Sequence, residues 1–194
     1  MASTDKVYEN TATESRSPAP PPATNLSGVD FTLRFLVFAS TLTAFLVLVT
    51  SKQSEIVTIP VLLLQTVRSA KFQHSPAFIY LVVAMCVACA YSILTIATSI
   101  SSIFKPSRPS KSLMLLVFFD ALMAGIVASA TGAAGGVAYI GLKGNSHVGW
   151  VKICGTFDKF CKHVGSSIAL AVFASVLLVL LVMISTYSLY RRSR

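Results

Sequence analysis

One acidic and one basic residue stand out in this sequence because each interrupts a long apolar run. Asp120 is the single charged residue in 112–142, and Arg34 is the single charged residue in 31–49. An ionised side chain at membrane depth costs on the order of 2.5–3.5 kcal/mol, so it should face other protein and find a partner there. The two residues therefore predict an intramembrane ion pair between Arg34 and Asp120.

This pair has three possible interpretations. It can be a structural ion pair that selects which helices pack together. It can be absent, with Arg34 reaching lipid phosphates and Asp120 protonated, or it can relay a proton or an ion. By helix rise the two residues differ in depth by roughly 6 Å, which a long arginine side chain can cover. The structural pair is preferred, and it is expected to contribute specificity more than stability because both charges lose their hydration.

The apolar runs themselves predict the fold class. The chain has 194 residues, of which 54% are hydrophobic and 12% are charged, whereas soluble domains carry about 25% charged residues. Each of four runs is long enough to cross a hydrocarbon core, which takes about 20 helical residues. The runs are 31–50, 77–104, 113–142 and 164–190. We therefore predict an all-α membrane protein, a four-transmembrane-helix bundle over residues 29–190.

The charges outside the runs predict the topology. The net charge is +9, but the basic residues are distributed among loops and tails and form no single stripe, so nucleic-acid binding is not expected. Three of them lie in the short loop 105–111 and three in 191–194. The positive-inside rule then places both termini in the cytoplasm. The Pro-rich residues 1–28 are predicted to be a disordered cytoplasmic tail, and 191–194 a basic cytoplasmic tail.

Two cysteines in the second external loop could form a disulfide or bind a metal. Cys154 and Cys161 are seven residues apart, and on the oxidising side of a membrane they can close a small loop as a disulfide. The alternatives are free thiols and a zinc site completed by His147 and His163, whose spacing is loose. The disulfide is preferred.

The first external loop and the cysteines of the second helix are expected to have structural roles. The first external loop contains an apolar, Pro-interrupted segment, 56–64, which is expected to form a short strand or an interfacial segment. Cys86 and Cys89 share one face of the second helix with no histidine or carboxylate near them. They are expected to be small packing residues and not a metal or redox site.

The third run is rich in small residues. At 100° per residue Asp120, Ala124, Thr131 and Gly135 share one helix face, and a stripe of small residues lies beside it. Small residues at four-residue spacing let another backbone approach closely. The stripe is therefore predicted to pack against another helix of the bundle. It consists of Ala121, Gly125, Ala128, Gly132 and Gly136.

The combination of motifs is distinctive. Four spans, an Arg in the first, an Asp in the third and a Trp-x3-Cys-x6-Cys external loop resemble the Casparian strip membrane domain protein-like (CASP-like) family of land plants. Segments 144–150, 154–167 and 188–192 look like its group 1 branch, and the resemblance covers about 29–192.

The resemblance implies an architecture similar to MARVEL tetraspans and a plasma-membrane protein that forms homo- and hetero-oligomers. Arg34 and Asp120 would be the family's intramembrane Arg and Asp. The founding members scaffold a membrane diffusion barrier and recruit wall-modifying enzymes to a localised lignin deposit. This chain lacks the extended first-loop signature associated with those founders.

The function expected from the residues and the resemblance is a noncatalytic scaffold. Its expected partners are a second copy of itself, other CASP-like proteins, membrane lipids and secreted wall-modifying enzymes. The alternative is a transporter or channel subunit that uses the Arg/Asp pair. An enzyme is not expected, because no nucleophile has a base partner and the histidines lie in or beside loops. No cofactor or metal is expected.

Overall fold

Four long helices dominate the computed structural model, which describes residues 26–59, 64–104 and 110–193. They contain apolar stretches of 23, 26, 33 and 34 residues, each longer than the roughly 20 residues that a hydrocarbon core requires. The predicted fold class is confirmed. The helices are α1 (Leu26–Thr50), α2 (Pro76–Phe104), α3 (Ser110–Lys143) and α4 (Asp158–Ser193).

The helices form a closed square in chain order. Each of them packs against the helices before and after it, and α4 also packs against α1, so that α1 lies diagonally opposite α3. Ser167, in the third turn of α4, donates a 2.8 Å hydrogen bond to the carbonyl of Ala44, late in α1. These two helices are therefore antiparallel. Phe78 and Phe160, near the starts of α2 and α4, form an edge-to-face ring contact at 6.3 Å across the other diagonal.

This arrangement gives the bundle two distinct ends. The start of α1 and the end of α4 lie at one end, which we call the terminal end. The connections between α1 and α2 and between α3 and α4 lie at the other, which we call the loop end. Small and aliphatic side chains fill the space between the helices. The fully buried ones include Ala44, Leu81, Val127, Ala171 and Leu178.

The helices extend beyond the apolar runs that predicted them. Helix α1 begins at Leu26 and α4 at Asp158, five and six residues before the runs. Polar residues at these ends continue the helical hydrogen bonding outside the apolar part. Of the predicted tail, residues 1–25 lie outside the described residues, and 26–28 are already helical. The predicted basic tail is helical as far as Ser193.

The connection between α1 and α2 contains an antiparallel hairpin. Strand β1 (Lys52–Ile59) pairs with β2 (Leu64–Lys71) in a register that sets Lys52 opposite Lys71 and Ile59 opposite Leu64. Of the two alternatives for segment 56–64, the structure therefore has strand, although residues 60–63 lie outside the described residues. The hairpin is a small addition to an otherwise helical fold, and its strand β1 contacts α4.

The connection between α3 and α4 begins with a tight reversal. Asn145 and Trp150 exchange two backbone hydrogen bonds of 2.9 Å. Gly144 precedes the reversal and Gly149 lies within it, with φ of 68° and 70°. A Cβ at Gly144 would lie 2.8 Å from the carbonyl oxygen of Trp150. Glycine is therefore required at this position both for the backbone conformation and for space.

Candidate functional site

The structure brings Arg34 and Asp120 together across the diagonal between α1 and α3. The guanidinium donates from Nη2 to Oδ2 at 3.0 Å and from Nη1 to Oδ1 at 3.2 Å. Arg34 is 1% exposed and Asp120 is 0% exposed. This bidentate geometry matches the planar guanidinium to the planar carboxylate, and it is the strongest form of such a pair.

A second carboxylate engages the same guanidinium. Arg34 Nε donates to Asp30 Oδ2 at 3.0 Å, one helical turn earlier in α1. Ser99, near the end of α2, donates its hydroxyl to the same Asp30 oxygen at 3.2 Å. All three nitrogens of the guanidinium are therefore bound to carboxylates, so the side chain is fixed in place and does not extend to lipid phosphates.

Helix α2 also contributes a donor to Asp120. The hydroxyl of Tyr91 donates to Asp120 Oδ1 at 2.5 Å. The network therefore joins α1, α2 and α3 near the terminal end of the bundle. It contains two carboxylates and one guanidinium, so its formal charge is negative when both acids are ionised. We call Asp30, Arg34, Tyr91, Ser99 and Asp120 the polar network.

The polar network is suited to holding helices together and not to turning over a substrate. Every polar group in it has a partner on a neighbouring turn or helix, and Arg34 and Asp120 are closed off from solvent. Within the described part of the chain, no cluster of three or more histidine, cysteine, aspartate or glutamate side chains could hold a metal ion. The arrangement fixes the relative rotation and depth of three helices.

At the loop end, Cys154 and Cys161 form a disulfide with their Cα atoms 5.6 Å apart. The bond links the connection between α3 and α4 to the first turn of α4. The backbone N–H groups of Ile153 and Cys154 also donate to the carbonyl of Gly141 at 2.9 and 3.2 Å. The loop is therefore fastened to both α3 and α4. The cysteines in α2, Cys86 and Cys89, are free thiols.

The small-residue stripe does not pack within the chain, and this prediction is wrong for the single bundle. All five stripe residues are exposed, and a Cβ added at Gly125, Gly132 or Gly136 would meet nothing within 4 Å. The buried face of α3 is instead centred roughly 150° away around the helix. Asp120, Ala124 and Thr131 are on that buried face as predicted, and Gly135 is half-buried. The other buried residues are Met123, Val127, Ala130 and Ala134.

Comparison with known proteins identifies the family. The Casparian strip membrane protein domain matches residues 23–177, which include α1, α2, α3, the first part of α4 and the whole polar network. This chain belongs to the CASP-like family. The resemblance drawn from the Arg, the Asp and the cysteine-containing loop is confirmed.

The curated relatives of this CASP-like chain match it over nearly their full length. It is 54% identical to CASP-like protein 1D1 of Populus trichocarpa over 193 residues, 99% of this chain and 98% of the relative. It is 58% identical to CASP-like protein 1D1 of Musa acuminata over 186 residues, 93% and 95% of the two chains. The Arabidopsis thaliana protein of the same name is 49% identical over 192 residues, 96% and 99%. No solved structure matches.

Three members of the polar network were missed by sequence reasoning. Asp30 precedes the predicted start of the first span, yet its spacing of four residues from Arg34 is the spacing at which helical side chains meet. Tyr91 and Ser99 had no comparable signal. Each lies in an apolar helix that also contains other hydroxyl groups, and only the packing of α2 shows which of them reach a carboxylate.

Replacing Tyr91 with phenylalanine is expected to lower the free energy of unfolding of the CASP-like chain by about 1.5–3 kcal/mol, because Asp120 loses one hydrogen bond to a charged group. The measurement is unfolding of the purified protein in detergent micelles, followed by circular dichroism. Tyr187→Phe is the matched control, because Tyr187 is 59% exposed on α4. Equal stability of the two variants would contradict a structural role for the Tyr91 hydroxyl.

Proposed function

We propose that this CASP-like chain is a noncatalytic scaffold of the plasma membrane. In this role it self-associates and pairs with related four-span proteins to organise a membrane subdomain linked to local cell-wall modification. The observation that carries the proposal is the outward-facing stripe of small residues on α3. The inside of the bundle is complete without the stripe, which leaves that surface available to another helix.

The stripe has the form that helix association in lipid requires. Ala121 and Gly125 are four residues apart, and so are Ala128, Gly132 and Gly136. Lipid tails are as apolar as leucine, so association in a membrane depends on close packing and on hydrogen bonds instead of hydrophobic burial. A stripe of hydrogen atoms and methyl groups lets a second backbone approach closely. A second copy or a related chain is the expected occupant.

The polar network inside the bundle supports the proposed scaffold role. It keeps α1, α2 and α3 in one relative arrangement, and it therefore presents the stripe at a constant position. A buried ion pair contributes to specificity more reliably than to stability. We infer that the network determines the shape of the surface on which assembly takes place.

Substituting Gly132 and Gly136 together with leucine is expected to weaken self-association roughly 5- to 150-fold. The added side chains would separate the packed backbones, and overpacking a close contact costs about 1–3 kcal/mol. The measurement is stepwise photobleaching of a fluorescent fusion in native membrane discs, with copies per assembly counted over a range of expression levels.

Ala133→Leu is the matched control for this experiment. Ala133 is exposed on the same turn of α3 but lies outside the stripe. If the glycine variant and the control assemble like the unmodified chain, the stripe is not the interface. The scaffold proposal would then lose its main support.

The proposed topology places the terminal end of the bundle in the cytoplasm and the loop end outside the cell. The disulfide-bonded loop and the hairpin would then face the wall, where secreted wall-modifying enzymes are the proposed partners. The basic residues beside the terminal end support this orientation, because cytoplasmic flanks of membrane spans are enriched in Lys and Arg.

A transporter or channel subunit is the alternative, and one observation favours it. The polar network holds two carboxylates and one guanidinium, and an unbalanced charge at membrane depth is a common feature of ion pathways. Against this alternative, the four described helices are continuous and contain no unwound segment of the kind that transporters use. Reconstituted vesicles that conduct ions, with conduction lost in Asp120→Asn, would favour the alternative.

A further inference from the structure

An apolar groove of about 310 Å³ opens at the loop end between α3 and α4. Its walls are hydrocarbon, aromatic rings and the disulfide, with Leu142, Ile153, Phe160 and Ile168 among them. The volume is at the lower limit for clefts that hold small molecules, about 300–1,000 Å³. From Gly135 to Leu142 the groove follows α3 for roughly 10 Å.

Glycines keep the groove open. Gly135, Gly141 and Gly165 all line it. A Cβ at Gly135 or Gly165 would meet nothing within 4 Å, and one at Gly141 would just touch the sulfur of Cys154 at 4.0 Å. A Cβ at Gly165 therefore has open space around it, and a larger side chain there would extend into the groove that Gly165 lines.

The mouth of the groove is cationic. A second cavity shares Leu142, Cys154 and Cys161 with the groove, and its charged lining residues are Lys152, Lys162 and Asp158, a net charge of one positive. Lys162 forms an ion pair with Asp158 at 2.7 Å. No ion pair is found for Lys152 among the residues whose side chains are described. Lys152 is thus an exposed positive charge directly beside an apolar slot.

The groove lies at the ends of two apolar spans, where a bilayer around the bundle would have its headgroup layer. It is formed by the last turns of the α3 span and the first turns of the α4 span. Tyr139 and Trp150 are 64% and 55% exposed beside it, and Val151 is 81% exposed. Aromatic side chains are enriched at this interface because their rings tolerate both phases.

We propose that this groove binds one anionic phospholipid. An acyl chain lies in the slot between α3 and α4, and the anionic headgroup contacts Lys152 at the mouth. The chemistry of the two cavities specifies this class of ligand, because the slot accepts only hydrocarbon and the mouth offers a positive charge within the headgroup layer. The disulfide forms part of both walls and therefore holds the mouth in its binding shape.

The test is native mass spectrometry of the full-length chain. The chain is mixed in detergent with equal amounts of phosphatidylserine and phosphatidylcholine that have identical acyl chains, and the detergent is then removed in the mass spectrometer. We expect one phosphatidylserine to be retained per chain in preference to phosphatidylcholine. Lys152→Gln should reduce that preference about fivefold, since a basic residue near an anionic surface contributes about 1 kcal/mol. Lys159→Gln is the matched control, because Lys159 is exposed nearby and does not line either cavity.

The slot is tested separately with Gly165→Leu, which should abolish retention of both lipids. Ser166→Leu adds a leucine at the same level of α4 on an exposed position outside the groove, and it should retain lipid like the unmodified chain. Circular dichroism verifies that both variants are folded. Equal retention by Gly165→Leu and Ser166→Leu would overturn the proposal. An equal headgroup preference in the two lysine variants would also overturn it. So would a dimer that contains no lipid and that dissociates in Gly165→Leu, because the groove would then be occupied by a second chain.

Discussion

Replacing Arg34 with alanine is expected to lower the free energy of unfolding by about 3–5 kcal/mol, because the change leaves Asp120 buried with no cation. Asp30 also loses its ion pair, and the two carboxylates then face each other across the vacated space. Unfolding in mixed detergent micelles measures the loss. Arg191→Ala is the matched control, since Arg191 is exposed at the end of α4. A loss no larger than that of the control would show that the pair is not structural.

Exchanging the two charges gives a sharper version of this test. If the pair acted alone, Arg34→Asp combined with Asp120→Arg would restore stability. The structure predicts only partial recovery, because a carboxylate at position 34 would lie one helical turn from Asp30, and like charges at that spacing repel. Adding Asp30→Ser to the exchange should recover more. Full recovery without it would mean that Asp30 contributes little to the network.

The expectation for Arg34 and Asp120 could be reached from sequence because membrane spans contain so few charges. An ionised side chain in an apolar run needs a partner, and the chain offers a single candidate of each sign within its runs. The length and hydropathy of the apolar runs likewise sufficed to predict the four helices. Neither inference required knowledge of how the helices are rotated about their axes.

The sequence did not determine how each helix is rotated about its own axis. Helix α3 is apolar or small on all sides, so periodicity cannot distinguish the face that packs from the face that meets lipid. The stripe was placed in the bundle for that reason. For the same reason the sequence did not distinguish Tyr91, whose hydroxyl binds a buried carboxylate, from other hydroxyl-bearing residues of apolar helices. The hairpin in the first external loop was one of two open alternatives, because its segment is short and interrupted by Pro60.

In the proposed function, the two faces of α3 have separate roles, one in stability and one in assembly. The inward face carries Asp120 and residues that fill the core, whereas the outward face carries the glycines that another chain can approach. Substitutions on the inward face should therefore change unfolding first and assembly only as a consequence. Substitutions on the stripe should change assembly alone. Measuring both quantities on the same variants separates the two roles.

Removing the disulfide is the second change with a large expected effect. In the chain-entropy account a bond between residues separated by seven positions contributes about 2–3 kcal/mol by restricting the unfolded chain. The double change Cys154→Ser and Cys161→Ser, or reduction of the unmodified protein, should lower the free energy of unfolding by that amount. Cys86→Ser together with Cys89→Ser is the matched control, because those two thiols are free.

The same cysteines also test the proposed topology. The chain contains four cysteines in all, so denatured protein taken directly from cells should react with two maleimides before reduction and with four afterwards. Disulfides persist where the environment is oxidising. A count of two would therefore place the loop end outside the cell, and both chain termini, at the opposite end of the bundle, in the cytoplasm. A count of four before reduction would contradict that orientation and would remove the covalent bond from the mouth of the groove.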